Sequence, residues 1–260
     1  MRDMSRSVGL VVVATISVAW LAPGLPARAA HDTPHWSYSG STGPTHWSAL
    51  EHDYSSCGIG GTQSPIDIRD EDVRKSDLPT IEFRYKPSPL RIIDNGHTIQ
   101  VNYPPGSFIK VGDKDYELLQ FHFHKPSEEE VNGRSYDMVA HLVHRDSAGH
   151  LAVVAVLLEA GHEENALLRT LWNNLPKTKE AERTVQGVSI DASDLLPASH
   201  AYYTFAGSLT TPPCSEGVTW FVLQHPTGVS NDEVARFGKL YPRNARPVQP
   251  LNGREISAGA

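Results

Sequence analysis

Leu118-Leu119-Gln120-Phe121-His122-Phe123-His124, then Tyr136-Asp137-Met138-Val139-Ala140-His141-Leu142-Val143-His144, then Leu151-Ala152-Val153-Val154-Ala155-Val156-Leu157-Leu158. All three runs are short and rich in apolar, β-branched or aromatic residues, so each predicts a strand. The third is continuously apolar, as a strand covered on both faces is. Side chains alternate across a strand. His122 and His124 therefore share one face, and Phe121 and Phe123 take the other. Two imidazoles one pleat apart can converge on one metal ion, whereas the plain alternative is two polar residues on a solvated face. In the second run His141 shares a face with Val139 and Val143, and His144 lies opposite. Only one of those two histidines can join the His122–His124 pair, and spacing alone does not say which. Three imidazoles with no carboxylate leave the fourth position of a tetrahedral zinc open to water, the catalytic arrangement rather than the closed structural one.

Outward from these runs the chain keeps the same character. Ile81–Tyr85, Thr98–Asn102 and Val218–Gln224 also read as strands, mostly bounded by Gly, Pro, Asn or Asp. Helical signals are few. Asn165–Leu175 carries apolar residues at helical spacing and is stopped by Pro176. Ser230-Asn231-Asp232-Glu233 is a capping box that opens a helix of about two turns through Leu240. With no internal repeat and no evident linker, the expected fold is mainly β with peripheral helices (α+β), in a single domain. Gly (20) and Pro (19) are plentiful, which suits many turns.

The 260 residues are 39% hydrophobic and 20% charged, an ordinary globular balance. Net charge is -7, so there is no basic excess to neutralise phosphates, and nucleic acid is not an expected partner. The N-terminus reads as a leader. Arg2 and Arg6 precede the apolar run Val8–Leu21, and Ala27-Arg28-Ala29 makes a small-residue cleavage site. The expected division is a signal peptide over 1–29 and a catalytic domain over 30–260. The apolar run is shorter than the roughly 20 residues of a membrane span. The mature protein is therefore expected to be exported, periplasmic or secreted, with no membrane association after cleavage. In an oxidising compartment the two cysteines, Cys57 and Cys214, are expected to form a disulfide.

Six short motifs now stand in order: Gln63-Ser64-Pro65-Ile66-Asp67-Ile68, Asn95-Gly96-His97, Gln120-Phe121-His122-Phe123-His124, His141-Leu142-Val143-His144, Ser208-Leu209-Thr210-Thr211-Pro212-Pro213-Cys214, and Asn244-x-Arg246-Pro247. Together they resemble the α-class carbonic anhydrases, from about His35-Trp36 to Arg254. The resemblance implies a large, twisted, mainly antiparallel central sheet and a zinc-dependent reversible hydration of carbon dioxide to bicarbonate and a proton. It implies one zinc per chain on His122, His124 and His141, with His144 structural. It implies that Thr210 orients the attacking oxygen and passes its own proton to a buried Glu128, because an ionised carboxylate can only accept. Thr211 falls beside the substrate. Val143, Val153, Leu209 and Trp220 fall on the apolar wall that suits an uncharged, dipole-free substrate; by themselves they would read as core. His97 falls at the proton-relay position; without the resemblance it would be a surface histidine after an Asn-Gly turn. Anions and sulfonamides are the inhibitors the resemblance implies.

Gln120, two before His122, matches the family's partner for the first ligand. One position departs. The family usually has Glu two residues before the third ligand, accepting from that ligand's second nitrogen; here it is Val139. A substitute acceptor from another segment is left open, and Glu129 and Glu130 read as a solvated acidic turn. Two other functions stay in view. A non-catalytic binding module on the same fold would be expected to lose a zinc-ligand histidine. A three-histidine zinc esterase would need an ester-specific pocket, and no motif supplies one.

Overall fold

The computed structural model describes residues 35–259; the leader read over 1–29 lies outside them. A 13-stranded sheet forms the body. Its main path runs Arg183–Ile190, Ser88–Asp94, Ile99–Asn102, Lys114–His124, Met138–Arg145, Leu151–Gly161, Glu216–Leu223, Tyr202–Ser208, Ile256–Ala258 and Val73–Lys75. Most neighbours are antiparallel. Leu151–Gly161 pairs in parallel with Glu216–Leu223 and with Thr227–Ser230, and Ile256–Ala258 pairs in parallel with Val73–Lys75, so the sheet is mixed.

The three opening runs lie near the middle of that path, and their alternation divides two cores. Phe121, Phe123, Ala140, Leu142, Val154 and Val156 point to one side, where the helices Ala166–Asn173 and Asn231–Leu240 cover them with Leu168, Leu171, Trp172 and Phe237. Val139, Val143, Val153, Ala155, Leu157 and Trp220 point to the other. From Ala152 to Leu158 every residue is buried, as a strand with apolar cover on both faces requires. The first helix is shorter at both ends than its apolar spacing suggests: Asn165 is its cap, accepting from Leu168 N–H, and Asn174 leaves the helical backbone after Asn173. The second has its capping box complete, with Ser230 and Glu233 satisfying each other's backbone N–H.

A third, small cluster contains Trp47, Cys57 and Cys214, with Trp36, Tyr38, Leu50 and Tyr54 against it. Cys57 and Cys214 are bridged across a sequence separation of 157. A loop that long is worth about 5 kcal/mol on the chain-entropy argument, as an upper figure. Replacing both cysteines by serine is expected to lower the midpoint of thermal unfolding clearly. Equal midpoints for the two proteins would contradict that anchoring role.

Candidate metal centre

The face that carries the three histidines is set by strand register. His122 lies directly opposite His141 across the Lys114–His124 and Met138–Arg145 strands, and His124 lies opposite Val139. Every nitrogen not needed for ligation has a fixed partner. His122 Nδ1 donates to Gln120 Oε1 at 2.8 Å. His124 Nδ1 donates to the Asn244 carbonyl at 2.7 Å. His141 Nε2 donates to Glu129 Oε2 at 3.1 Å. Those bonds decide the tautomers, so the lone pairs of His122 Nε2, His124 Nε2 and His141 Nδ1 are left to converge. One ligand atom from each of the three lies within 4.8 Å of the others. His124 Nε2 is fully buried with no hydrogen-bond partner. A buried acceptor without a donor is costly, and an imidazole-bound cation such as zinc removes that cost.

Burial, then the neighbouring His141, lowers the pKa of His122 to about 3, and the same causes push His124 well below its ordinary value. Both are therefore neutral and able to ligate at neutral pH. Burial also lowers His141, but Glu129 and then Glu128 outweigh it and hold this ring above its ordinary value. His144 is on the far face, bonded to the Tyr85 hydroxyl at 2.8 Å, and burial lowers its pKa to about 3. Of the two histidines left open by spacing, His141 is the one that meets the pair.

Glu128 is buried beneath the site and accepts the Arg246 N–H at 2.7 Å. Burial raises its pKa to about 7; Glu129 adds to the rise, while His141, the Arg246 N–H and the Thr210 hydroxyl pull it down. Thr210, itself buried, thus bears on the Glu128 carboxylate. Its loop is clamped. Ser64 N–H donates to Ser208 Oγ and Ser208 N–H donates to Ser64 Oγ, at 2.9 and 3.1 Å. Trp220 Nε1 donates to the Ser208 carbonyl at 3.0 Å. A Cβ at Gly207 would fall 2.2 Å from Ser64 Oγ and 2.7 Å from Trp220 Cδ1, so only glycine admits this approach. Thr211 is half-buried on the same loop, and its carbonyl accepts Cys214 N–H at 2.8 Å.

Across four adjacent strands one row of the register reads Gln120, Val143, Val153, Trp220. Val143, Val153 and Trp220 are buried together, with Leu209 packed against them, and the Trp220 ring meets the edge of His141 at 5.0 Å. The ligand face is thus continuous with an apolar wall. His97 packs against a different set of rings. Its ring stacks on Trp36 at 3.6 Å and its Nε2 hydrogen-bonds His35 Nε2 at 2.7 Å. Burial, then His35 and Lys179, lowers its pKa to about 4.

Glu129 is not part of a solvated turn: it is fully buried and bonded to His141, while Glu130 alone keeps partial exposure. Asn244 and Arg246 were visible only as parts of a motif. Asn244 uses its carbonyl for His124, its side-chain oxygen for Lys125 N–H, and its amide for the His97 and Phe123 carbonyls. The Arg246 guanidinium donates to Gln63 Oε1, Ser64 O and Cys57 O, tying the disulfide segment to the residue that holds Glu128.

The comparisons agree with this geometry. The model of the eukaryotic-type carbonic anhydrase family matches residues 42–260. A carbonic anhydrase from Nostoc sp. (strain PCC 7120) is 43% identical over 258 residues, covering 98% of this chain and 96% of that protein. A hyperthermostable carbonic anhydrase from a hydrothermal vent chimney superposes with a TM-score of 0.83 at 44% identity, over 87% of this chain and 100% of its own. The α-carbonic anhydrase of Thermovibrio ammonificans, solved with sulfanilamide, gives 0.82 at 42% identity, over 86% and 98%. With the three imidazoles converging on the central strands of that shared fold, the chain belongs to the α-carbonic anhydrases, the zinc-dependent enzymes of reversible carbon dioxide hydration.

Proposed function

We propose that this chain holds one zinc ion through His122, His124 and His141 and that Thr210, Glu128 and His97 divide the remaining work of hydration. The observation that carries the ligand set is the orphaned, buried Nε2 of His124 among three imidazoles whose other nitrogens are all engaged. Zinc, when bound, lowers the pKa of a coordinated water to about 7 and so supplies the nucleophile at neutral pH.

The chain's own residues aim and serve that nucleophile. Glu128 accepts the Thr210 proton, which leaves the threonine a lone pair to receive the hydrogen of the attacking oxygen. The Arg246 N–H on Glu128 keeps the carboxylate turned to this task. Val143, Val153, Leu209 and Trp220 offer carbon dioxide an apolar wall, and Thr211, next along the loop from Thr210, is the proposed hydrogen-bond partner of bicarbonate. Sulfonamide binding by the Thermovibrio relative supports the same class of inhibitor here. The basic, apolar and small-residue pattern over 1–29 supports export of the remainder.

Each turnover releases a proton, and His97 is its proposed relay. Stacked on Trp36 and bonded to His35, the ring titrates at about 4, too low to collect protons near pH 7. The role therefore requires the ring to leave the stack for water, where an imidazole returns toward about 6.5. His97→Ala is expected to lower kcat in weak buffer while leaving kcat/KM for carbon dioxide nearly unchanged. Added imidazole buffer should restore much of the lost rate. A His97→Ala enzyme with full kcat in weak buffer would return this residue to a surface-turn role.

A further inference from the structure

The strand position from which a glutamate would be expected to hold the third ligand carries Val139, buried between His124 on one neighbouring strand and Leu157 on the other. His141 is nonetheless held. Glu129 Oε2 lies 3.1 Å from His141 Nε2, and both side chains are buried. The carboxylate reaches the ring from a different segment, just ahead of the Glu130–Val131 strand.

That segment is pinned well enough to position a ligand. Ser127 Oγ donates to the Glu129 carbonyl at 2.7 Å and accepts Tyr136 N–H at 2.8 Å. Glu130 N–H donates to the Ile66 carbonyl at 3.2 Å, and Glu130–Val131 pairs in parallel with Asp67–Ile68. The backbone of Glu129 is therefore fixed on both sides.

The charge arrangement points the same way. Glu128 and Glu129 are adjacent and both buried, yet among the described residues neither is paired with a lysine or arginine side chain. The Arg246 guanidinium is spent on Gln63, Ser64 and Cys57 instead. Glu129 Oε1 has no hydrogen-bond partner. A buried carboxylate with one bond and no lysine or arginine beside it is unfavourable on its own. It becomes favourable when the imidazole it holds is bound to a dication, because the negative charge strengthens that ring as a ligand.

We propose that Glu129 is the positioning carboxylate of this metal centre: from its turn it does for His141 what a glutamate at position 139 does from the ligand strand, and the two placements are interchangeable. The proposal rests on the zinc reading of the three histidines. Glu129 touches neither substrate nor metal; it acts through His141.

The test compares wild type, Glu129→Gln, Glu129→Ala and the exchange Glu129→Ala/Val139→Glu. Zinc affinity is read by competition with a chelator, thermal midpoints are read with and without zinc, and the visible spectrum of the cobalt-substituted protein reports the ligand field. Glu129→Ala is expected to weaken zinc binding by about 10–100-fold, and the exchange variant to recover most of that loss. Glu129→Gln should unfold, without metal, at or above the wild-type midpoint, yet gain less from zinc and give a shifted cobalt spectrum. Unchanged zinc affinity in Glu129→Ala, or an exchange variant no tighter than Glu129→Ala, overturns the proposal. So does a lower metal-free midpoint for Glu129→Gln with unaltered zinc affinity, since that marks a purely structural role. Each of these leaves the zinc site standing. A wild type that binds no zinc overturns the zinc reading itself, and this proposal with it.

Discussion

His141→Ala is expected to leave a folded protein that no longer retains zinc through dialysis and no longer hydrates carbon dioxide. The ring is one of the three proposed ligands, and the free nitrogen it presents, Nδ1, is fixed by the bond from its Nε2 to Glu129. Its loss should exceed the roughly 10–100-fold typical of removing an orienting partner, because a coordination bond goes as well. His144→Ala provides the contrast. That ring is three positions on, equally buried, but faces Tyr85 on the other side of the sheet. The substitution leaves a cavity and is expected to lower stability while zinc content stays at one per chain. Metal analysis of the two purified variants checks this directly. Zinc retained by His141→Ala, or lost from His144→Ala alone, would reverse the assignment.

Thr210→Ala is expected to keep zinc and to lose about 100-fold or more in kcat/KM for carbon dioxide. The role proposed for the threonine is orientation, and misplacing a nucleophile by an ångström or so costs on that order. The defect differs in kind from that of His97→Ala. It should appear in kcat/KM itself, because the nucleophile is misaimed before the chemical step, and imidazole should not relieve it. Glu128→Gln should share the defect, since an amide can offer the threonine a hydrogen where a carboxylate only accepts. Arg246 N–H bonded to Glu128 and the clamp between Ser64 and Ser208 hold this pair in place. Stopped-flow hydration at several imidazole concentrations separates the two classes. A Thr210→Ala enzyme rescued by imidazole, or with wild-type kcat/KM, would remove the threonine from the account.

The site was legible in the sequence wherever its geometry follows from strand alternation. The His122–His124 pair, the far-face Phe121 and Phe123, and the doubly buried Leu151–Leu158 run all follow from a period of two. The choice between His141 and His144 did not, because register against the neighbouring strand is a tertiary property; the resemblance made it and the register agrees. Glu129 was hidden for a similar reason. Glu129 and Glu130, following Glu128, read locally as a solvated turn, and only the packing of that segment against the Asp67–Ile68 strand buries Glu129. Ser88–Asp94 was missed because Pro89 lowers strand propensity, although the strand forms and pairs on both sides. Tyr202–Ser208 was missed because Thr204, Gly207 and Ser208 blur its alternation, and it is covered by neighbours on both edges.

Hydration is expected to depend on a metal held by these three histidines. Stopped-flow measurement of carbon dioxide hydration by the purified protein checks this, performed as isolated, after zinc is stripped with a chelator and dialysed, and after zinc is returned. Activity should be present in the first state, absent in the second and restored in the third at one zinc per chain. Hydration that persists in the stripped protein, or that fails to return when zinc is again bound, would contradict the account.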